Sequence, residues 1–274
     1  MTEQNINSIY RCPICHVNLD DHNKSFVCDN NHHFDKAKEG YVNLLPVQFK
    51  QSKNPGDNKS MVNARRAFLE KGYYQPLVDC IKALYLQYTN GEGNFIDAGC
   101  GEGFYTHQHK TDKNHVYGVD IAKEAIKKAA KKYKACQFNV ATLSQLPFKN
   151  DSAQWIMSIY APILEQEFTR ILENNGYLLT VTPAPKHLYE LKSLIYQDAQ
   201  EHNIAKEPVE HLTLIHQEQL NYTMTLATGS DTVNLLMMTP FAFKATEAVK
   251  AQIANTENFQ CQAEFLIKLY KKTV

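Results

Sequence analysis

A chain of 274 residues with 43% hydrophobic and 21% charged residues has enough apolar surface to offset the entropy of ordering. This excludes intrinsic disorder and collagen-like sequence, and leaves room for a main domain plus a small attachment. Its 29 Lys and Arg balance 29 Asp and Glu, so no summed charge draws it to nucleic acid or an anionic membrane, and any polyanion must be met by a local patch.

The amino-terminal segment lacks a basic region followed by an apolar stretch, so no cleaved secretory signal is expected. The longest largely apolar run, Trp155 to Leu164, is broken by Ser158 and Pro162 and is too short to span a membrane. A soluble, cytoplasmic protein is expected.

Three of the seven cysteines crowd into the first 34 residues, as Cys12-Pro-Ile-Cys15, twelve residues, Cys28, three residues and His32. A C-x2-C turn puts two thiolates on one knuckle, and Cys28 with His32 completes the tetrahedral set that zinc takes in structural sites. No coordination position is left open, which argues against a catalytic metal. His33 is a rival fourth ligand on spacing alone. Such clustering suits a reducing compartment better than a disulfide framework. A fragment this short buries little core of its own, so the metal would supply its folding free energy; the alternative is ordinary cysteines in a loop. Cys80, Cys100, Cys136 and Cys261 show no paired spacing and read as small core residues. His107 and His109, two apart, do not share a helix face and make a poor metal pair.

Residues 1–34 thus form a zinc-binding module and 35–60 a connector, with Asn54-Pro-Gly-Asp57 as a strong turn signal. The connector is locally basic: Lys36, Lys38, Lys50, Lys53, Lys59, Arg65 and Arg66 outnumber Asp35, Glu39 and Asp57. From 61 to 88, Met61, Ala64, Phe68, Leu69, Leu77, Ile81 and Leu84 recur at helical spacing. Beyond residue 94, short apolar strands (94–98, 116–119, 136–140, 153–159, 177–183) alternate with helical stretches such as 122–134. That is the pattern of an α/β fold with a parallel sheet covered on both faces. A helix over His187–His202 is expected, followed by β-like segments at Asn234–Met238 and Glu264–Tyr270 that could add antiparallel strands at one edge.

Phe95-Ile-Asp97-Ala-Gly99-Cys-Gly101-Glu-Gly103 is a strand running into a G-x-G-x-G turn and a helix. Missing Cβ atoms let the backbone pass close to a nucleoside, and the helix start offers free N–H groups. The spacing is not that of dinucleotide binders, and no Gly-Lys-Ser/Thr follows, which excludes a phosphate-binding P-loop. Asp120 ends the second strand, where a carboxylate can accept from both hydroxyls of a ribose.

Asp97-Ala-Gly-Cys-Gly-Glu-Gly with Asp120 resembles the first two motifs of the class I S-adenosylmethionine-dependent methyltransferases. Together with the Cys12/Cys15/Cys28/His32 cluster, Lys38–Pro46 and Ala64–Leu69, the chain resembles the bacterial 23S ribosomal RNA (guanine-N1)-methyltransferases over nearly its whole length. The likeness includes Ile159–Pro162, Thr182–Leu188 and Met238–Phe241. The resemblance implies a Rossmann-like domain over 61–274 with a mostly parallel seven-stranded sheet, S-adenosylmethionine as methyl donor and a structural Zn2+. It further implies a 23S rRNA hairpin as partner and a homodimer.

It also implies that Cys12, Cys15, Cys28 and His32 hold the zinc, and that Tyr74, Tyr105, Thr106 and His187 join Asp97, Gly99, Gly101 and Asp120 around the cofactor. By residue type alone, Tyr74 and Tyr105 can equally be half-buried aromatics and His187 a helix-start residue. Glu173-Asn-Asn-Gly176, in place of a Lys-Pro-Gly turn, and Ala98, in place of Ile or Val, depart from the family pattern.

Guanine N1 carries a proton at neutral pH, so transfer needs a base or an acceptor for developing charge. Tyr160, after the fourth strand, and Glu165 or Glu167 beyond it are the candidates, although a solvated helix face would account for either glutamate equally well. Tyr160 and Phe241 are placed to sandwich a flipped base. Phosphates would fall to the connector cations, with the six lysines of 122–134 as a second patch or a solvated face. Two other readings share these residues: a methyltransferase for another RNA or a small molecule, and a non-enzymatic zinc-containing RNA-binding module.

Overall fold

The computed structural model describes residues 8–49, 59–204, 209 and 211–273. The turn expected at Asn54–Asp57 and the cations Lys50 and Lys53 lie outside the described residues. In chain order the elements begin with β1 (Asp20–Asp21), β2 (Ser25–Val27), β3 (His33–Asp35) and β4 (Val42–Asn43). Next come α1 (Lys59–Leu69), α2 (Gln75–Thr89), β5 (Gly93–Ala98), α3 (Phe104–Gln108), β6 (Asn114–Asp120), α4 (Lys123–Lys132) and β7 (Gln137–Val140). These are followed by β8 (Ala153–Ile159), α5 (Glu165–Ile171), β9 (Leu172–Pro183) and α6 (Tyr189–Ser193). The chain closes with β10 (Thr213–Leu226), α7 (Gly229–Met237), α8 (Glu247–Ala254) and β11 (Phe259–Lys271).

Strands β1 to β3 form a small antiparallel sheet, and the large sheet runs β10-β11-β9-β8-β5-β6-β7-β4. Its central strands pair in parallel, while β11 is antiparallel to β9 and β10 to β11. The expected seven-stranded sheet is present, and the two-residue β4, parallel to β7, adds an eighth from the connector. Chain order reverses at β5, which lies between β6 and β8, and ligands of open α/β sheets sit at the carboxyl ends of strands at such a switch point.

Alternate residues along the strands face opposite ways. Phe95, Val116, Phe138, Trp155, Met157 and Leu179 form one large core with Phe68, Leu77 and Ile81 of α1 and α2 and Leu235 of α7. On the opposite face, Ile96, Tyr117, Ile156 and Leu178 pack with Phe168 and Ile171 of α5 and with Tyr10, Leu19 and Phe26 of the zinc module. The module therefore covers one face of the sheet. Tyr10 stacks on Phe148 at 5.4 Å and meets Tyr117 and Phe26 edge-on, and Asn139 Nδ2 donates to its hydroxyl at 2.8 Å.

Four expectations are corrected. The helix expected over 61–88 is two helices, because Gly72 adopts φ +81 to end the first and Pro76 suits the first turn of the second. Helix 187–202 shrinks to Tyr189–Ser193, since the chain folds back until the His202 N–H donates to Pro185 O at 2.8 Å. Asn234–Met238 lies in or just beyond α7 rather than in a strand. Thr228 and Asp231 cap that helix reciprocally, and Leu235 and Leu236 are buried. The 14-residue β10 was not expected, although Leu220, Tyr222, Met224 and Leu226 alternate along it at a strand's period of two.

Candidate active site and metal centre

The sulfurs of Cys12, Cys15 and Cys28 and a nitrogen of His32 lie within 4.8 Å of one another. His32 Nδ1 is 3.5, 3.3 and 3.4 Å from the three sulfurs, and Cys15 and Cys28 Sγ are 3.7 Å apart. A tetrahedron with Zn–S of about 2.3 Å and Zn–N of about 2.0 Å has edges of roughly 3.8 and 3.5 Å, so the donors fit zinc. His33 is exposed, and its Nε2 is bonded to Asn31 Oδ1 at 2.9 Å, which leaves His32 as the fourth ligand.

A cavity of about 790 Å³ opens at the carboxyl ends of β5, β6, β8 and β9. It is in the size range of small-molecule sites. Asp97, the fifth residue of β5, is almost fully buried, and its Oδ2 accepts from Thr106 Oγ1 at 2.6 Å. Burial, helped by nearby Asp120, pushes its pKa up to about 7. Gly99 takes φ +88, and a Cβ there would stand 2.5 Å from Ala161 Cβ, so the β5 turn and the loop after β8 touch only because this residue is glycine.

Asp120 accepts from the Gly101 N–H at 2.8 Å on one oxygen and the Ala122 N–H at 2.7 Å on the other, which ties the glycine loop to the start of α4. Tyr74, Tyr105 and His187 also line the cavity, whereas Thr106 stands behind Asp97 and acts by holding it.

Aromatic side chains line the same cavity. Tyr160 lies at the mouth, 46% exposed and held at φ +53, a backbone state that costs a tyrosine free energy. Its hydroxyl is 3.1 Å from His187 Nε2. Phe241 enters from the turn after α7, with Tyr196 edge-on and His202 stacked against it.

Glu165 is not at this site. It begins α5, accepts from the His211 N–H and is not among the residues that line the cavity. Glu167 accepts from Nε and Nη2 of Arg170 and from the Leu146 N–H. Both glutamates fall away because α5 lies across the face of the sheet that carries the zinc module.

The connector cations are also redistributed. Lys36 pairs with Asp21, Arg66 with Glu70 and Glu102, and Arg65 lines the cavity while donating to Met238 O. Lys127 reaches Glu39 of the connector and Lys132 reaches Glu70 just after α1, so these α4 lysines are paired with carboxylates of the segments beside them. His202 is a cavity residue that no motif marked, and Arg65 and Met238 to Pro240, quoted only as part of the family likeness, line the cavity with it. They come from a helix, a loop and a turn far apart in sequence.

Comparison with known proteins agrees with this arrangement. Residues 10–53 match a family model described as RlmA, N-terminal, a zinc ribbon, and residues 90–229 match a methyltransferase domain model. A protein of Bacillus subtilis (strain 168) named Putative 23S rRNA (guanine-N(1)-)-methyltransferase YxjB is 32% identical over 254 residues, covering 87% of this chain and 88% of its own. The 23S rRNA (guanine(748)-N(1))-methyltransferase of Streptomyces fradiae is 31% identical over 233 residues, covering 81% and 82%. A protein of Micromonospora griseorubida named Putative 23S rRNA (guanine-N(1)-)-methyltransferase is 27% identical over 263 residues, covering 87% and 88%. No helix among the described residues is long and apolar enough to cross a membrane. A zinc-ribbon donor set, a glycine loop between two buried-strand acids and relatives matched along most of both chains lead to one conclusion: the chain belongs to the family of 23S rRNA (guanine-N1)-methyltransferases.

Proposed function

We propose that this protein transfers a methyl group from S-adenosylmethionine to N1 of a guanine in a hairpin of 23S rRNA, in the cytoplasm and as a homodimer. The observation that carries the reading is one cavity lined by two unlike sets of residues. Asp97, Gly99, Gly101 and Asp120 are one, and the aromatic Tyr160 and Phe241 belong to the other. In this reading Asp120 takes the ribose hydroxyls, Gly99 and Gly101 admit the nucleoside backbone, and Asp97, Tyr74, Tyr105 and His187 enclose the amino-acid end. When bound, the donor supplies an electrophilic methyl on a sulfonium; the protein positions the two reactants and excludes water.

A base must leave its stack to reach so enclosed a site, and Tyr160 and Phe241 supply faces to receive it. In this reading the cations of the connector and of α4 meet phosphates, and a net charge of zero favours one folded hairpin over indiscriminate RNA binding. The zinc module, residues 1–34, and the connector, 35–60, carry RNA beside the methyltransferase domain, 61–274.

The test is transfer of labelled methyl to large-subunit rRNA from a strain lacking the gene, with nucleosides separated chromatographically. Label in 1-methylguanosine, lost in Asp97→Ala, is the expected result. Retained cofactor binding without label in rRNA would transfer the assignment to another acceptor.

A further inference from the structure

With Glu165 and Glu167 outside the cavity, Tyr160 is what remains of the expected candidates, and the cavity offers a stronger base. His202 lines it, and its Nε2 lies 3.1 Å from the carbonyl oxygen of His187. A carbonyl only accepts, so Nε2 carries the hydrogen, and in a neutral ring Nδ1 is then the bare lone pair. Among the described residues no group bonds that Nδ1. Burial, with Lys192 nearby, lowers the His202 pKa, so the ring is neutral at pH 7.

The same logic fixes His187. The backbone N–H of Glu264 donates to its Nδ1 at 3.2 Å, so its hydrogen is on Nε2, closer to the Tyr160 oxygen at 3.1 Å than to the Tyr74 oxygen at 3.5 Å. Burial, reinforced by His202, pushes its pKa down to about 3, so it does not change state in the working range. With its oxygen already accepting, the Tyr160 hydroxyl is left to donate outward. The three rings follow in sequence, Tyr160 to His187 at 5.7 Å and His187 to His202 at 6.3 Å between centroids.

We propose that His202 Nδ1 takes the N1 proton of the target guanine while the Tyr160 hydroxyl donates to O6, with His187 setting the protonation of both. Guanine presents a donor, N1–H, beside an acceptor, O6, and the site presents an acceptor beside a donor. Adenine presents the reverse order and would leave both protein groups unpaired, which is how polar sites discriminate most strongly. The N1–H bond breaks toward His202, and the lone pair left on N1 forms the N–C bond. The methyl–sulfur bond breaks in the same step, with its electron pair going to sulfur. Negative charge developing at O6 is met by Tyr160, and the imidazolium returns its proton to water after product leaves. His202 and Tyr160 are then catalytic residues and His187 a positioning residue.

This proposal rests on the cavity being a guanine methyltransferase site, and the test separates the two. Nitrogen-15 NMR of the labelled, cofactor-free protein at pH 7 is expected to find both His187 and His202 hydrogenated at Nε2; His202 hydrogenated at Nδ1 overturns the assignment. His202→Gln keeps a donor toward the His187 carbonyl and loses the base, so kcat on rRNA is expected to fall roughly 100-fold or more. Its KM for S-adenosylmethionine should stay within threefold, and added imidazole should restore part of the activity of His202→Ala.

His187→Gln, which can still donate to Tyr160, is expected to retain more activity than His187→Leu, a difference that a purely packing role does not produce. Wild-type-like turnover by His202→Gln sinks the proposal alone. Wild-type protein that binds S-adenosylmethionine yet makes no 1-methylguanosine sinks the underlying reading and the proposal together.

Discussion

Replacing Tyr10 by alanine tests whether the zinc module and the sheet are one folding unit. Tyr10 is almost fully buried, stacks on Phe148, meets Tyr117 and Phe26 edge-on, and accepts from Asn139. Truncating a buried aromatic costs about 3–5 kcal/mol, and stranding the Asn139 donor adds about 1 kcal/mol or more. A loss of about 5 kcal/mol lowers Tm by roughly 10–20 °C in a chain of this size. Tyr10→Phe keeps the packing and should lose only about 1–2 kcal/mol.

The assay is scanning calorimetry run beside zinc release to a chromophoric chelator. One transition should be seen in all three proteins, with zinc leaving as the sheet unfolds. A low-temperature transition that releases zinc in Tyr10→Ala while the main transition stays put would refute the shared core.

Three further outcomes follow from the cavity. Asp97 has a folded-state pKa of about 7, above its ordinary 3.8, so the folded state holds the extra proton and stability falls as pH rises between those values. Asp97→Asn should remove that slope, on the order of 2–4 kcal/mol in urea unfolding between pH 4 and pH 8, while weakening cofactor binding; an unchanged slope would point to another group. Gly99→Ala forces a side chain to φ +88 and against Ala161, so it should cost about 2–3 kcal/mol and disturb the neighbouring Tyr160 loop, read as lower Tm and weaker S-adenosylmethionine binding in calorimetry. Asp120→Ala removes charged acceptors for a ribose and the tie between Gly101 and Ala122, and a Kd raised less than tenfold would contradict its role, since such bonds contribute about 1.5–3 kcal/mol each.

The parts of the site that share a short stretch of chain were legible in the sequence. Cys12, Cys15, Cys28 and His32 follow metal spacing, and Asp97, Gly99, Gly101 and Asp120 occupy a strand, a turn and the next strand end. Only the choice between His32 and His33 needed coordinates, because both spacings reach the metal. The substrate end was harder to read, because Tyr160, His187, His202 and Phe241 come from four connections that only the tertiary fold assembles. His202 is a lone histidine in a polar stretch, and its value comes from where the chain folds back onto Pro185 and His187. Glu165 has the right chemistry and the wrong address, which a local pattern does not reveal. Among the elements, Thr228 with Asp231 and the alternation from Leu220 to Leu226 were readable signals for α7 and β10. The break at Gly72 was masked by apolar spacing that continues across it.

One bond has a consequence for how this protein tolerates mutation. The partner that fixes His187 Nδ1 is the main-chain amide of Glu264, within β11, and not its side chain. Every residue except proline carries that amide, so substitutions at 264 alter the carboxylate's bonds to Lys186 N and Gln219 but keep the same donor facing the ring. Nor does a peptide N–H titrate across the range in which enzymes work. The histidine's orientation is thereby entrusted to strand register, which sequence drift changes slowly, while the surface around it is left free to vary.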